Sequence, residues 1–122
     1  VDNYSSPSLV IPEKYNGLPV TQILEYGFSE KYMITDVEFS SYLLKINEYA
    51  FYKCINLREV TLPSTLKYLE HCAFAECSSL KEIVLPAGLK GIDQYALSKN
   101  KFDSITFLSE NPKAPLARPA CY

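Results

Sequence analysis

Four cysteines and one histidine (Cys54, Cys72, Cys77, Cys121 and His71) are the residues of this chain with the widest chemical range. Four thiols allow three disulfide pairings in an oxidising compartment. Cys72 and Cys77 have four residues between them, which is the spacing of neither a C-x-x-C redox pair nor a zinc knuckle. Cys72 beside His71 makes half a metal site, and with no second histidine in the chain no metal is expected. His71, next to Glu70, reads as a surface residue. Nucleophilic catalysis needs a nucleophile, a base and a group that orients the base, and here one histidine would have to serve every combination. There is no G-x-S-x-G, and Gly17, Gly27, Gly88 and Gly91 form no phosphate-cradling loop. No catalytic residue, no cofactor and no enzyme activity are therefore expected.

The remaining chemistry-bearing residues are carboxylates at a regular interval. Asp36, Glu59 and Glu82 are spaced 23 residues apart, as are Cys54 and Cys77. That interval runs through the whole chain. Ile23, Ile46, Leu69 and Ile92 share one column; Val20, Leu43, Leu66 and Leu89 share another. Tyr26, Tyr49, Cys72 and Tyr95 precede Gly27, Ala50, Ala73 and Ala96, which precede Phe28, Phe51, Phe74 and Leu97. Ile34, Leu57 and Leu80 open units that continue with Val37, Val60 and Ile83, then Phe39, Leu62 and Leu85. Phe102, Ile105 and Phe107 begin a last unit after the loss of one residue near Lys99-Asn100-Lys101.

Each unit reads L-x-x-V-x-L-P-x-x-L-x-x-I-x-x-x-A-F-x-x-C. The V-x-L piece alternates with the period of a half-buried strand. Pro63 and Pro86 follow it and end the strand, because proline offers no N–H to a ladder. The remainder has no room for a long amphipathic helix and suits an irregular coil, a short extended piece or a 3₁₀ turn. One unit cannot bury its apolar columns alone, so successive units stack and their strands pair in parallel at about 4.8 Å.

The composition agrees with a folded domain and excludes several classes. Of the 122 residues 48% are hydrophobic and 21% charged, with a net charge of −2. That balance excludes a disordered tail and lacks the basic excess of a non-specific nucleic-acid binder. No apolar run approaches the roughly 18 residues of a membrane helix, so no membrane insertion is expected. Val1-Asp2-Asn3 opens the chain without a secretory signal, which implies a removed leader or an excised segment.

The units Leu57 to Ser79 and Leu80 to Lys101 resemble the BspA-type leucine-rich repeat, and Ile11-Pro12 with Asn16-Gly17-Leu18-Pro19-Val20-Thr21-Gln22-Ile23 resembles its opening repeat. The A-F-x-x-C half separates this class from other leucine-rich repeats. Departures are Ser40 at the proline position, Cys72 in the tyrosine column, Leu97 in the phenylalanine column and Asn100 in the cysteine column. The resemblance implies an α/β-type solenoid, with a parallel β-sheet on the concave side and short irregular or 3₁₀ segments on the convex side. It also implies a secreted or surface-anchored bacterial protein that adheres to host or neighbouring-cell proteins. A single repeat domain over 1–122 is expected, with units at 9–33, 34–56, 57–79 and 80–101, a partial unit at 102–112 and a proline-rich tail at 113–122. Neither end reads as a polar cap. This favours a fragment of a longer surface protein, or a small chain that self-associates through its repeat ends.

In such a stack the x positions of the strands point outward. They hold Asp36, Glu59, Glu82 and Ser104 in one column and Glu38, Thr61, Val84 and Thr106 in the next. Adjacent rungs of Asp36, Glu59 and Glu82 form an acidic stripe. It reads as a face for a basic protein partner, as a weak calcium site, or as a solvated strand face softened by Arg58 and Lys81. These eight residues are the candidate binding site. Two function classes follow: a non-enzymatic protein-binding module, or a structural spacer without a ligand. Cys54 and Cys77 read as inert buried residues. Tyr26, Tyr49 and Tyr95 read as packing residues, and Tyr42, Tyr52 and Tyr68, outside the strict apolar columns, are the better candidates for exposed contact without a contact role being expected of them. Asn3-Tyr4-Ser5 matches a glycosylation acceptor, and Cys121 is a tail thiol.

Overall fold

The computed structural model describes residues 7–108; the Asn3 acceptor, Cys121 and the proline-rich tail lie outside them. The V-x-L pieces form strands, as their alternation requires. They are β1 (Ser8–Val10), β5 (Asp36–Glu38), β7 (Glu59–Thr61), β9 (Glu82–Leu85) and β11 (Ser104–Phe107). The L-x-x-I pieces take the extended option and form a second row: β4 (Gln22–Ile23), β6 (Lys45–Ile46), β8 (Tyr68–Leu69) and β10 (Gly91–Ile92). Pairing is parallel within β1-β5-β7, within β9-β11 and along β4-β6-β8-β10. The described chain is thus a solenoid of about four coils, with strand ladders on two sides and no helix among the described residues.

The remaining pair, β2 (Lys14–Tyr15) and β3 (Leu18–Pro19), is an antiparallel hairpin absent from the repeat pattern. Its turn residues Asn16 and Gly17 have φ of 52° and 79°, the left-handed pair that a two-residue hairpin demands. The Glu13 carboxylate ties this insertion to the second coil. It accepts the Ser41 N–H at 3.1 Å and also the Ser41 hydroxyl.

Apolar columns become a continuous core. Phe51 stacks between Phe28 at 5.4 Å and Phe74 at 5.2 Å, and Phe39 meets it edge-on at 5.7 Å. Leu43, Ile46, Leu57, Leu66 and Leu80 are fully buried around this stack. The cysteine column has a chemical reason. Cys54 Sγ donates to the Phe28 carbonyl at 3.1 Å, and Cys77 Sγ to the Phe51 carbonyl at 3.2 Å. Asn100, which breaks the pattern by name, keeps it by function: Nδ2 donates to the Phe74 carbonyl at 2.8 Å. The position demands a small buried donor, not a thiol. Ser40 is equally explained. It lacks the proline ring, yet its buried hydroxyl donates to the Val20 carbonyl and accepts the Tyr42 N–H, both at 3.0 Å.

Between the strand rows the chain runs through consecutive four-residue turns, such as Ala50 N–H to the Asn47 carbonyl and Tyr52 N–H to the Tyr49 carbonyl. Left-handed residues interrupt them, at Tyr26, Tyr49 and Cys72 and again at Glu30, Lys53, Glu76 and Lys99. Two left-handed residues in each of the first three coils, and one in the fourth, give this segment its irregular form.

Candidate functional site: the outward strand row

The strand row is built by burying alternate residues. Val37 and Ile83 point inward, and Glu38, Glu59, Thr61, Glu82, Val84, Ser104 and Thr106 are exposed beside them. Asp36 is half-buried because two hydroxyls hold it. Ser8 Oγ and Thr35 Oγ1 each donate to its Oδ1 at 3.0 Å. The ladder sets Ser8 against Asp36 and Asp36 against Glu59, with Val10, Glu38 and Thr61 in the parallel column. On the other side, Glu82 lies against Ser104 and Val84 against Thr106.

The outward positions of these five strands carry four carboxylates and no cation. Arg58 and Lys81 stand one residue before β7 and β9. Three clefts adjoin along the row. One of about 380 Å³ is lined by Asp36, Glu38, Ser41, Glu59 and Thr61. A second, of about 420 Å³, takes in Arg58, Glu59, Thr61, Lys81, Glu82 and Val84. A third, of about 480 Å³, lies beside Tyr32, Met33, Asn56, Arg58 and Ser79. Neighbouring clefts share residues, so the row is one trough and not three separate dents.

Two features depart from the expected site. Asp36 and Glu59 are ladder partners, but Glu59 and Glu82 are not: the row divides between β7 and β9. Two outward residues also escaped the column reading, Ser8 and Val10 of the first strand. Ser8 meets Asp36 across an offset of 28 residues, because the hairpin lengthens the first coil. The Asn16-Gly17 pair was the available signal for that insertion.

Elsewhere the expectations divide. Cys54 and Cys77 are buried free thiols, as their column implied, and Cys72 is a half-buried one. Burial pushes the Cys54 thiol up to about 11 and the Cys77 thiol higher still. No group of three or more potential metal ligands occurs among the described residues. His71 is more than a surface residue. It lies edge-on to Tyr49 at 5.7 Å and to Tyr95 at 5.6 Å, and its Nδ1 is 3.1 Å from Asp93 Oδ1. It thus continues the aromatic row at the rung where Cys72 replaces tyrosine. Tyr26 stacks on Tyr49 at 5.0 Å while remaining 58% exposed, so that column packs upon itself at the surface. Tyr42 and Tyr68 are exposed, whereas Tyr52 is half-buried and its hydroxyl donates to Glu76 at 3.2 Å.

Stacked parallel strands, a shared phenylalanine core and a trough along one strand row define a leucine-rich repeat solenoid. The BspA type leucine rich repeat region matches residues 3–114 in six copies. The chain belongs to that family. A comparison with curated proteins finds no match. Among solved structures, a leucine-rich repeat protein from Bacteroides capillosus is 33% identical with a TM-score of 0.77, over 86% of this chain and 79% of that one. The pneumococcal vaccine antigen PcpA is 27% identical with a TM-score of 0.77, over 84% of this chain and 24% of the antigen. A leucine-rich repeat protein from Bacteroides ovatus has the same fold, with a TM-score of 0.73 at 24% identity, over 87% of this chain and 31% of that one. No helix among the described residues is long and apolar enough to cross a membrane.

Proposed function

We propose that this chain is a non-enzymatic protein-binding module of a secreted or surface-anchored bacterial protein, and that its ligand lies on the strand row, on the concave side of the solenoid. Asp36, Glu38, Glu59, Thr61, Glu82, Val84, Ser104 and Thr106 are the contact residues. The observation that carries this reading is the continuous trough over outward side chains that the core does not need. Extended surfaces of this kind are what stacked repeats offer a partner. The likeness to a pneumococcal vaccine antigen supports the surface location. A surface protein of this kind meets host or neighbouring-cell matrix proteins as its partners.

The test is a panel of purified matrix and cell-surface proteins captured on sensors and probed with the folded chain. A specific partner is expected whose affinity falls at least about tenfold on Thr61→Arg with Val84→Arg, since bulk placed on a contact patch removes its complementarity. A partner whose affinity ignores both substitutions moves the site elsewhere. A panel without any partner leaves the structural spacer as the reading to adopt.

A further inference from the structure

The division of the strand row is confined to one step of one side. At the preceding step the N–H groups of Arg58 and Glu59 both donate to the Thr35 carbonyl, at 2.8 and 3.3 Å. At the following step Asp103 and Ser104 donate to the Lys81 carbonyl, at 2.7 and 3.2 Å. The corresponding bonds from Lys81 and Glu82 to the Arg58 carbonyl are missing, and no pairing joins β7 to β9. The same two coils are joined normally elsewhere. Lys90 and Gly91 donate to the Lys67 carbonyl, and Phe74 and Glu76 to the carbonyls of Ala96 and Ser98. The opened step holds the 420 Å³ cleft, and it leaves Val60 half-buried where Val37 and Ile83 are 4% and 2% exposed.

Charge accounts for the location. Two charged columns run through these coils: Thr35, Arg58, Lys81 and Asp103, and beside them Asp36, Glu59, Glu82 and Ser104. Like charges opposite one another on neighbouring strands oppose pairing, and opposite charges favour it. From β5 to β7, threonine meets arginine, and the Asp36–Glu59 repulsion is eased by the two hydroxyls on Asp36. From β9 to β11, lysine precedes the strand opposite aspartate, and glutamate meets serine. Only from β7 to β9 do both columns present like to like, arginine to lysine and glutamate to glutamate. None of these four side chains has an ion-pair or hydrogen-bond partner among the described residues.

We infer that the β7–β9 step is a charge-controlled joint in the strand row, open while its two like-charged pairs face each other and closed when they are removed. Closure forms the ladder between β7 and β9 and covers Val60. The joint lies inside the trough and so rests on the proposed binding face for its use: a partner that neutralises Glu59 and Glu82 with a cationic side chain closes the step as it binds.

The test needs no ligand. Exchanging the two charges of the third coil, Arg58→Glu with Glu59→Lys, keeps the net charge and turns both facing pairs into attractive ones. Amide hydrogen exchange of Lys81 and Glu82 is expected to slow at least about tenfold in that variant, with Lys90 and Gly91 unchanged as reporters of the rest of the stack. In the unaltered chain, raising NaCl from about 0.02 M to about 1 M screens the exposed charges and is expected to slow the same two amides several-fold relative to Lys90 and Gly91. Exchange at Lys81 and Glu82 that ignores both the charge swap and the salt overturns the joint. Because these readouts involve no partner, that result leaves the binding reading standing. A failed partner panel, in turn, leaves the exchange result untouched.

Discussion

The column that holds Cys54, Cys77 and Asn100 selects for a buried hydrogen-bond donor, and each member has its own consequence. Asn100 brings an acceptor that the site cannot use, since its buried Oδ1 has no partner among the described residues. Asn100→Cys keeps the bond to the Phe74 carbonyl and removes the orphan, at the loss of the bond to the Leu97 carbonyl. The two changes oppose each other, and denaturant unfolding is expected to shift by no more than about 1 kcal/mol. For the thiols the relevant variable is pH. Burial raises the Cys54 thiol from near 9 to about 11, so folding favours its neutral form. The stability from this group is whole below pH 9 and declines as the pH rises through 11, by roughly 2–3 kcal/mol in all. Melting followed between pH 8 and pH 11 checks the sign. In a Cys121→Ser background, native protein is expected to titrate with a thiol reagent at Cys72 alone, and with all three remaining thiols once unfolded. The left-handed residues offer a further measurement. Lys99 has φ of 59° and no ring or ion-pair contact among the described residues, so Lys99→Gly is expected to raise stability by about 1 kcal/mol.

At the scale of the element, the phenylalanine stack and the turn at Ser40 carry opposite lessons. Phe51 touches rings in the coils on either side and is fully buried, so Phe51→Ala is expected to cost about 3–5 kcal/mol. Its place was plain in the sequence, because an apolar residue repeated every 23 positions can only be a rung. Ser40 was visible merely as a departure. Its worth comes from two hydrogen bonds to backbone that is distant in sequence or adjacent in the turn, and Ser40→Ala is expected to cost about 1–3 kcal/mol by leaving those groups unpaired. The outward strand row was legible from alternation and proline placement, whereas the second row was not, because L-x-x-I suited a coil or a 3₁₀ turn as well as an extended piece. The left-handed turns were not, because tyrosine, glutamate, lysine and cysteine occupy them where glycine would have marked the backbone. The hairpin was hidden for another reason: five extra residues displaced the first strand from the 23-residue frame that revealed all the others.

Across the whole molecule, the sequence carried the columns and therefore the candidate surface, since residues between buried positions of a strand must face outward. It did not carry the break in that surface. A gap between two rungs depends on what each charge meets in the next coil, which is a pairwise property that a single column does not display. The aromatic row shows the same limit: His71 lies one residue before the tyrosine column, and only the turn brings its ring between Tyr49 and Tyr95. The trough, the row of rings and the joint all belong to relations between coils.

Those relations give the molecule an arithmetic of its own. Apart from the step between β7 and β9, each coil passes the same row of carbonyls to its neighbour, so whole coils are the natural units of length. Excising 57–79 as a block would splice Asn56 to Leu80 with every rung still meeting its own kind, and the shortened chain would unfold in one transition. Removing one residue from within a strand would turn that strand's inward side chains toward water, whereas one lost in a turn is absorbed, as between β9 and β11, which stay in register with Ser104 against Glu82.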